Sequence, residues 1–229
     1  MTPRRRLRSF RTFAGLLMAT LAVGMPVRAA TGFSPDVNSF VEALAVQPDG
    51  KILIAGEFDT VNGTTHRCIA RLNADGTVDN SFDAGPISST GYLFIGSLAL
   101  QADGKIVVGG NFNMLGNQPR NYIARLNADG SLDSSFSPDA DFVVYCLALQ
   151  PDGKILAGGV FGRLGGQPRD SIGRVNPDGS LDMSFNPGAS GGGPYGTVVY
   201  ALAVQADGRI LVGGRFSNLG GNRAVSSDG

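Results

Sequence analysis

An all-β fold is predicted, a β-propeller-type array of four-stranded antiparallel blades, and three observations carry it. The first is a phrase written four times: AVQPDGKILIAGEF from Ala45, ALQADGKIVVGGNF from Ala99, ALQPDGKILAGGVF from Ala148 and AVQADGRILVGGRF from Ala203. The second is another phrase at a fixed distance. NADGTVDNSF, NADGSLDSSF and NPDGSLDMSF open at Asn73, Asn127 and Asn176, each 26 residues after Gln47, Gln101 and Gln150. The third is that both phrases pivot on Asp-Gly between apolar runs, the composition of a hairpin turn. A repeat of roughly fifty residues marks an array or propeller, in which each unit packs only on its neighbours. From each Asn to the next Gln the spacing is 28, 23 and 29 residues, so the unit has a rigid body and one elastic joint.

The first phrase reads as the inner hairpin of each blade. Pro48 presets φ for the first turn position, Asp49 can bond its own backbone, and Gly50 accepts the left-handed conformation that closes a three-residue loop. Ala102 and Ala206 replace the proline in two copies, which the turn tolerates. With that loop, Gln47 faces Lys51, Val46 faces Ile52, Ala45 faces Leu53 and Leu44 faces Ile54. Both faces of this pair are apolar, which places it between layers.

The second phrase, under the same construction, opposes Leu72 to Val78 and Arg71 to Asp79. The opposition recurs as Arg125 with Asp133 and Arg174 with Asp182. Opposite charges directly across an antiparallel pair contribute roughly 0.2–1 kcal/mol, enough to help fix register. These more polar outer strands end in Phe82, Phe136 and Phe185. Two inner and two outer strands make a propeller blade.

The period divides the chain into repeats at 33–82, 83–136 and 137–185 and a truncated fourth at 186–229, three full blades plus the inner hairpin of a fourth. Arg223-Ala-Val-Ser-Ser-Asp-Gly229 stands where the fourth outer hairpin belongs, and Phe33-Ser-Pro-Asp matches Phe136-Ser-Pro-Asp, the end of a unit. An incomplete ring exposes the apolar faces of its end blades, so either self-association or completion by missing repeats is expected.

The string ALAVQPDGKILxxGxF, the short loop after it, IARLNADGSLD and the closing SF together resemble the delta-60 repeat, a bacterial family of secreted and surface proteins. The likeness runs from Phe33 to Arg223. It implies a β-propeller, commonly of about seven units, with no established general activity.

Residues 1–29 read as a removable export signal. Arg4, Arg5, Arg6, Arg8 and Arg11 precede an apolar run from Phe13 to Met25, then Val27-Arg28-Ala29 supplies a small-residue cleavage pattern. The run is too short to span a bilayer comfortably. The paired arginines admit twin-arginine export beside the general route, and either leaves the chain periplasmic, extracellular or at the cell surface with no membrane span. Six arginines leave with the signal, so 13 basic residues face 19 acidic ones, a net charge of −6. A mildly acidic surface argues against nucleic-acid partners.

Candidate chemistry is sparse. The doubled glycines at Gly109-Gly110, Gly158-Gly159 and Gly213-Gly214 precede no helix signal and no Lys-Ser/Thr pair, so they read as close backbone approach or a bulge, not a phosphate loop. Cys68 is placed in the third strand and Cys146 in the first, in different blades, as two buried free thiols. His66 is the single histidine, and Glu42 and Glu57 are the two glutamates, with no match in other repeats. The Asn73 to Asp79 segment superficially resembles a calcium loop, but Arg71, Arg125 and Arg174 stand where such a loop wants an acid, and hairpin chemistry explains its residues. No cofactor is therefore expected. Binding, if present, is expected on the elastic joints at 83–92 and 186–196, whose aromatics are Tyr92 and Tyr195; idle Gly/Ser spacers are the alternative. The reading is a non-catalytic binding or structural scaffold with an unknown protein or glycan ligand. Its alternative is a surface hydrolase using Asp residues from axial loops.

Overall fold

The computed structural model describes residues 33–223, so the export signal read at 1–29 lies outside the described residues, as do residues 224–229. Blades 1 to 3 are antiparallel sheets built on inner strands Val41–Val46, Phe94–Leu100 and Val144–Leu149, which pair with middle strands Ile52–Gly56, Ile106–Asn111 and Ile155–Gly159. Third strands Ile69–Leu72, Ile123–Leu126 and Ile172–Val175 complete each sheet. Blade 4 contributes the pair Val198–Val204 and Ile210–Arg215.

The inner register is the one the turn chemistry dictates, with Val46 opposite Ile52 and Ala45 opposite Leu53. The loop closes through Gly50 N–H to the Gln47 carbonyl at 2.9 Å, with Gly50 at φ 85°. The Asp49 carboxylate accepts from the Lys51 amide at 3.1 Å. All four copies repeat this with φ between 81° and 85°.

The fourth strand is shorter than predicted. It survives as single bridges, Leu72 to Val78, Leu126 to Leu132 and Val175 to Leu181. The cause lies in the aspartate that follows. After the Asp79 amide bonds the Arg71 carbonyl, the Asp79 carboxylate caps Ser81 N–H and Oγ–H at 3.0 and 2.7 Å, which turns the chain out of the sheet. A small hairpin between the middle and third strands, absent from the sequence reading, forms a separate short sheet. It comprises Thr60–Val61 with Thr64–Thr65 in blade 1, and Met114–Leu115 with Gln118–Pro119, Arg163–Leu164 with Gln167–Pro168 and Asn218–Leu219 with Asn222–Arg223 in the others. Each elastic joint is pinned to it at one end: Ile87 pairs with Leu115 and Ala189 with Leu219, while Val37 and Ala140 bridge to Val61 and Leu164.

Between blades the packing is apolar. Leu53, Val107 and Leu156 are fully buried, and two of the larger clusters join neighbouring blades, Ala55 with Ile95 and Val107 with Val144. The third-strand arginines also cross the joint: Arg71 Nη1 donates to the Ala128 carbonyl at 2.6 Å, and Arg125 Nη1 donates to that of Pro177. The arc is open. Val46 and Leu211, on its two end faces, are 63% and 52% exposed.

The thiols are free and buried, though Cys68 sits just ahead of the third strand and not inside it. Cys68, Tyr122 and Ser171 all hold φ near 62–64°, a left-handed step that aims the following strand back into the sheet. Burial, helped by Asp59, pushes Cys68 up to about 12, and burial pushes Cys146 to about 12, which disfavours the thiolate at neutral pH.

Candidate functional site

The doubled glycines lie opposite bulges in the inner strands, and the bulges build the site. Between Val41 and Ala43 the register slips against Gly56 and Ala55, and the slip repeats at Ile95/Ser97, Val144/Cys146 and Val199/Ala201. The extra residue is Glu42, Gly96, Tyr145 or Tyr200. A bulge re-aims a side chain and opens the pairing locally, here at the end of the arc where the inner strands begin. We call that end the mouth.

Four aromatic rings line it in sequence across the blades. Tyr92 and Phe94 lie 6.3 Å apart between ring centroids, Phe94 and Tyr145 6.2 Å with planes 15° apart, and Tyr145 and Tyr200 5.8 Å. Carboxyls occupy one end. Tyr92 Oη–H donates to Glu57, and the Glu42 carboxyl lies against Gly96 of blade 2. A cation occupies the other: Arg215 lies 5.7 Å over the Tyr195 ring and donates through Nε to the Gly196 carbonyl at 2.8 Å. Between blades 3 and 4 the mouth opens into a cleft of about 680 Å³ lined by Phe142, Tyr145, Asp170, Tyr195, Tyr200 and Arg215.

Both joint aromatics therefore reach the mouth. Tyr92 is 65% exposed and Tyr195 79%. What positions them is the residue after the doubled glycine: Asn111 Nδ2 donates to the Tyr92 carbonyl at 2.7 Å, as Arg215 does to its own joint. The sequence reading missed Glu42, Glu57, Tyr145, Tyr200 and Arg215. The signal was disagreement between repeats, because Glu42, Gly96, Tyr145 and Tyr200 are one position and Glu57, Asn111, Val160 and Arg215 another.

Burial and the neighbouring Glu57 carboxyl raise Glu42 to about 7. The side chain keeps solvent on one side, which moderates the effect. An acid raised on folding holds its proton longer in the folded state, so its contribution to stability is lost as pH climbs from the usual 4.5 towards 7. Melting curves from pH 4.5 to 8 should fall more steeply for the wild type than for Glu42→Gln. Parallel curves would show that the pair bears no folding penalty.

The recurrent polar residues, by contrast, are engaged in structure. Arg71, Arg125 and Arg174 donate through Nε to Asp79, Asp133 and Asp182 at 2.7, 2.8 and 2.8 Å. Lys51, Lys105 and Lys154 add a second cation to the same oxygens at 2.7, 2.8 and 2.7 Å. Each arginine also lies over the closing phenylalanine, 5.0, 4.4 and 4.5 Å from the rings of Phe82, Phe136 and Phe185. A divalent cation at these aspartates would have to displace two cations already bound. In the outer turn Asp75 accepts from Thr77 N–H and Oγ–H at 3.0 and 2.6 Å, and Asp129 and Asp178 repeat this with Ser131 and Ser180.

Stacked antiparallel blades joined by apolar faces define a β-propeller repeat protein. The chain belongs to the family described as a domain of unknown function (DUF5122) beta-propeller, whose pattern matches residues 47–82, 101–136, 150–185 and 205–225, together more than half of the sequence. None of the curated proteins matches significantly. Among solved structures it is similar to the WD40 beta propeller domain of Doa1, at 20% identity and a TM-score of 0.49, covering 80% of this chain and 50% of that one. It is also similar to the extracellular domain of a protein assigned as a one-component system of B. thetaiotaomicron, at 12% identity and a TM-score of 0.47, covering 78% and 21%. A protein assigned as a gluconolactonase gives 18% identity and a TM-score of 0.43, covering 78% and 58%. The chain thus spans less than two thirds of the length of each.

Proposed function

We propose that this chain is an exported, non-catalytic propeller scaffold of the delta-60 type that holds a glycan at the mouth of its arc. One observation carries the reading. Positions that agree between repeats build the blades, while those that disagree gather aromatic rings and charge at one place. Flat rings at steps of about 6 Å offer apolar faces to sugar rings, and the flanking carboxyls and Arg215 offer hydrogen-bond partners to hydroxyls. The arginine-rich leader and the delta-60 resemblance support export.

A glycan array probed with the purified chain should return a binding signal, and Tyr145→Ala or Tyr200→Ala should weaken it roughly 2–10-fold each, the worth of one aromatic contact. A signal indifferent to both substitutions would move the ligand elsewhere. The Glu42 and Glu57 carboxyls at one end of the mouth, with the loop aspartate Asp170 lining its cleft, favour a second reading, a hydrolase. Turnover of a glycan or ester substrate that Glu57→Gln abolishes would establish the hydrolase instead.

A further inference from the structure

The joint between blades is a knob in a socket, and the two ends of the arc carry its two halves. Gly109 of blade 2 is roofed by Val144 and Leu147 of blade 3, close enough that a methyl there would lie 2.8 and 3.4 Å from them. Gly158 of blade 3 is roofed in the same way by Val199 and Leu202 of blade 4, at 2.6 and 3.1 Å. In blade 4 the matching socket is Gly213, and among the described residues a methyl there would meet only atoms of Ala201 in its own blade. In blade 1 the matching knobs are Val41 and Leu44. They are 42% and 44% exposed, whereas Val144 and Val199 are fully buried.

We propose that a second copy of this chain seats the Val41 and Leu44 knobs of its blade 1 on the Gly213 socket and Leu211 of blade 4. This is the interior joint made between molecules. The contact is head-to-tail, so each copy offers one knob face and one socket face, and two copies using both close into a ring.

Light scattering on size-separated full-length chain should give twice the monomer mass at micromolar concentration. Leu44→Asp removes the knob and Gly213→Leu fills the socket, and each should raise the dissociation midpoint about tenfold or more. Both positions face open space, and unchanged melting temperatures will show that the variants fold. Mixing the two variants restores one sound knob face and one sound socket face, so a mixed pair should reappear. A wild-type monomer over the whole concentration range would overturn the proposal, with the faces then covered by other residues of the chain or by further repeats. Association insensitive to either variant, or no recovery on mixing, would overturn the head-to-tail joint.

Discussion

Gly159→Ala should cost about 3 kcal/mol or more, the upper range for forcing atoms into a packed interior. Gly159 sits on the second side of the bulge opposite Val144, and a methyl group there would land on the Val143 carbonyl oxygen, far inside contact distance. The φ of Gly159 is not positive, so the strain is one of space and not of backbone preference. The obstacle is backbone, which cannot step aside as a side chain can. Relief requires undoing the bulge, which shifts the register of the inner strand and turns its apolar residues to the wrong face. Gly166→Ala is the natural control, since Gly166 holds φ 73° with nothing within 4 Å, a conformational demand without crowding. It should cost roughly 1–2 kcal/mol, the price of a left-handed L-residue. Urea unfolding followed by circular dichroism measures both, and equal losses would mean that the bulge is not what requires glycine at 159.

The hairpin registers were legible in the sequence because their determinants are local. Pro48, Asp49 and Gly50 set a loop length, the loop length sets the pairing, and the two-residue alternation follows. The Arg125 and Asp133 opposition follows by the same step. The fourth strand was overdrawn because the same aspartate has two uses: it opposes an arginine, which reads as strand, and it caps the serine two residues on, which ends the strand. The mouth was illegible for a different reason. Repeats are found by agreement, and the mouth is made of positions that disagree, so Glu42 read as a glutamate without match and was not linked to Tyr145, which holds the same bulged position. Tyr92 and Tyr195 were visible because loop length drew attention to the joints that carry them. Their convergence with Tyr145 and Tyr200 depends on how the blades fan, which no local pattern encodes.

Asp133→Ala should lose about 3–5 kcal/mol, the range for breaking a buried pair and stranding its partner. The expectation from sequence was the 0.2–1 kcal/mol of a surface cross-strand pair; burial changes it. The Arg125 and Asp133 side chains are 6% and 8% exposed, and Arg125 is enclosed by Phe136 and the Pro177 carbonyl of the next blade. Without the carboxylate, the guanidinium keeps its charge in a place that water does not reach. Burial alone would raise the Asp133 carboxyl; bonds from Lys105, Ser135 and Arg125 outweigh it and hold it well below the usual carboxylate range. A depressed acid contributes stability that is fully present above its unfolded value near 3.8 and lost as pH falls through the folded one, so the variant should lose less on acidification below pH 4 than the wild type. Asp182→Ala should cost less, because Arg174 is 18% exposed and spends Nη1 on Gln150, at 3.3 Å, within its own blade. Asp207→Ala, whose carboxylate meets Arg209 at 3.5 Å in the open, should fall within about 0.5 kcal/mol of wild type. Chemical denaturation of the three variants gives the order directly. If Asp133→Ala costs no more than Asp207→Ala, the Arg-Asp-Lys cluster fixes register alone and the blades owe their stability to the apolar joints.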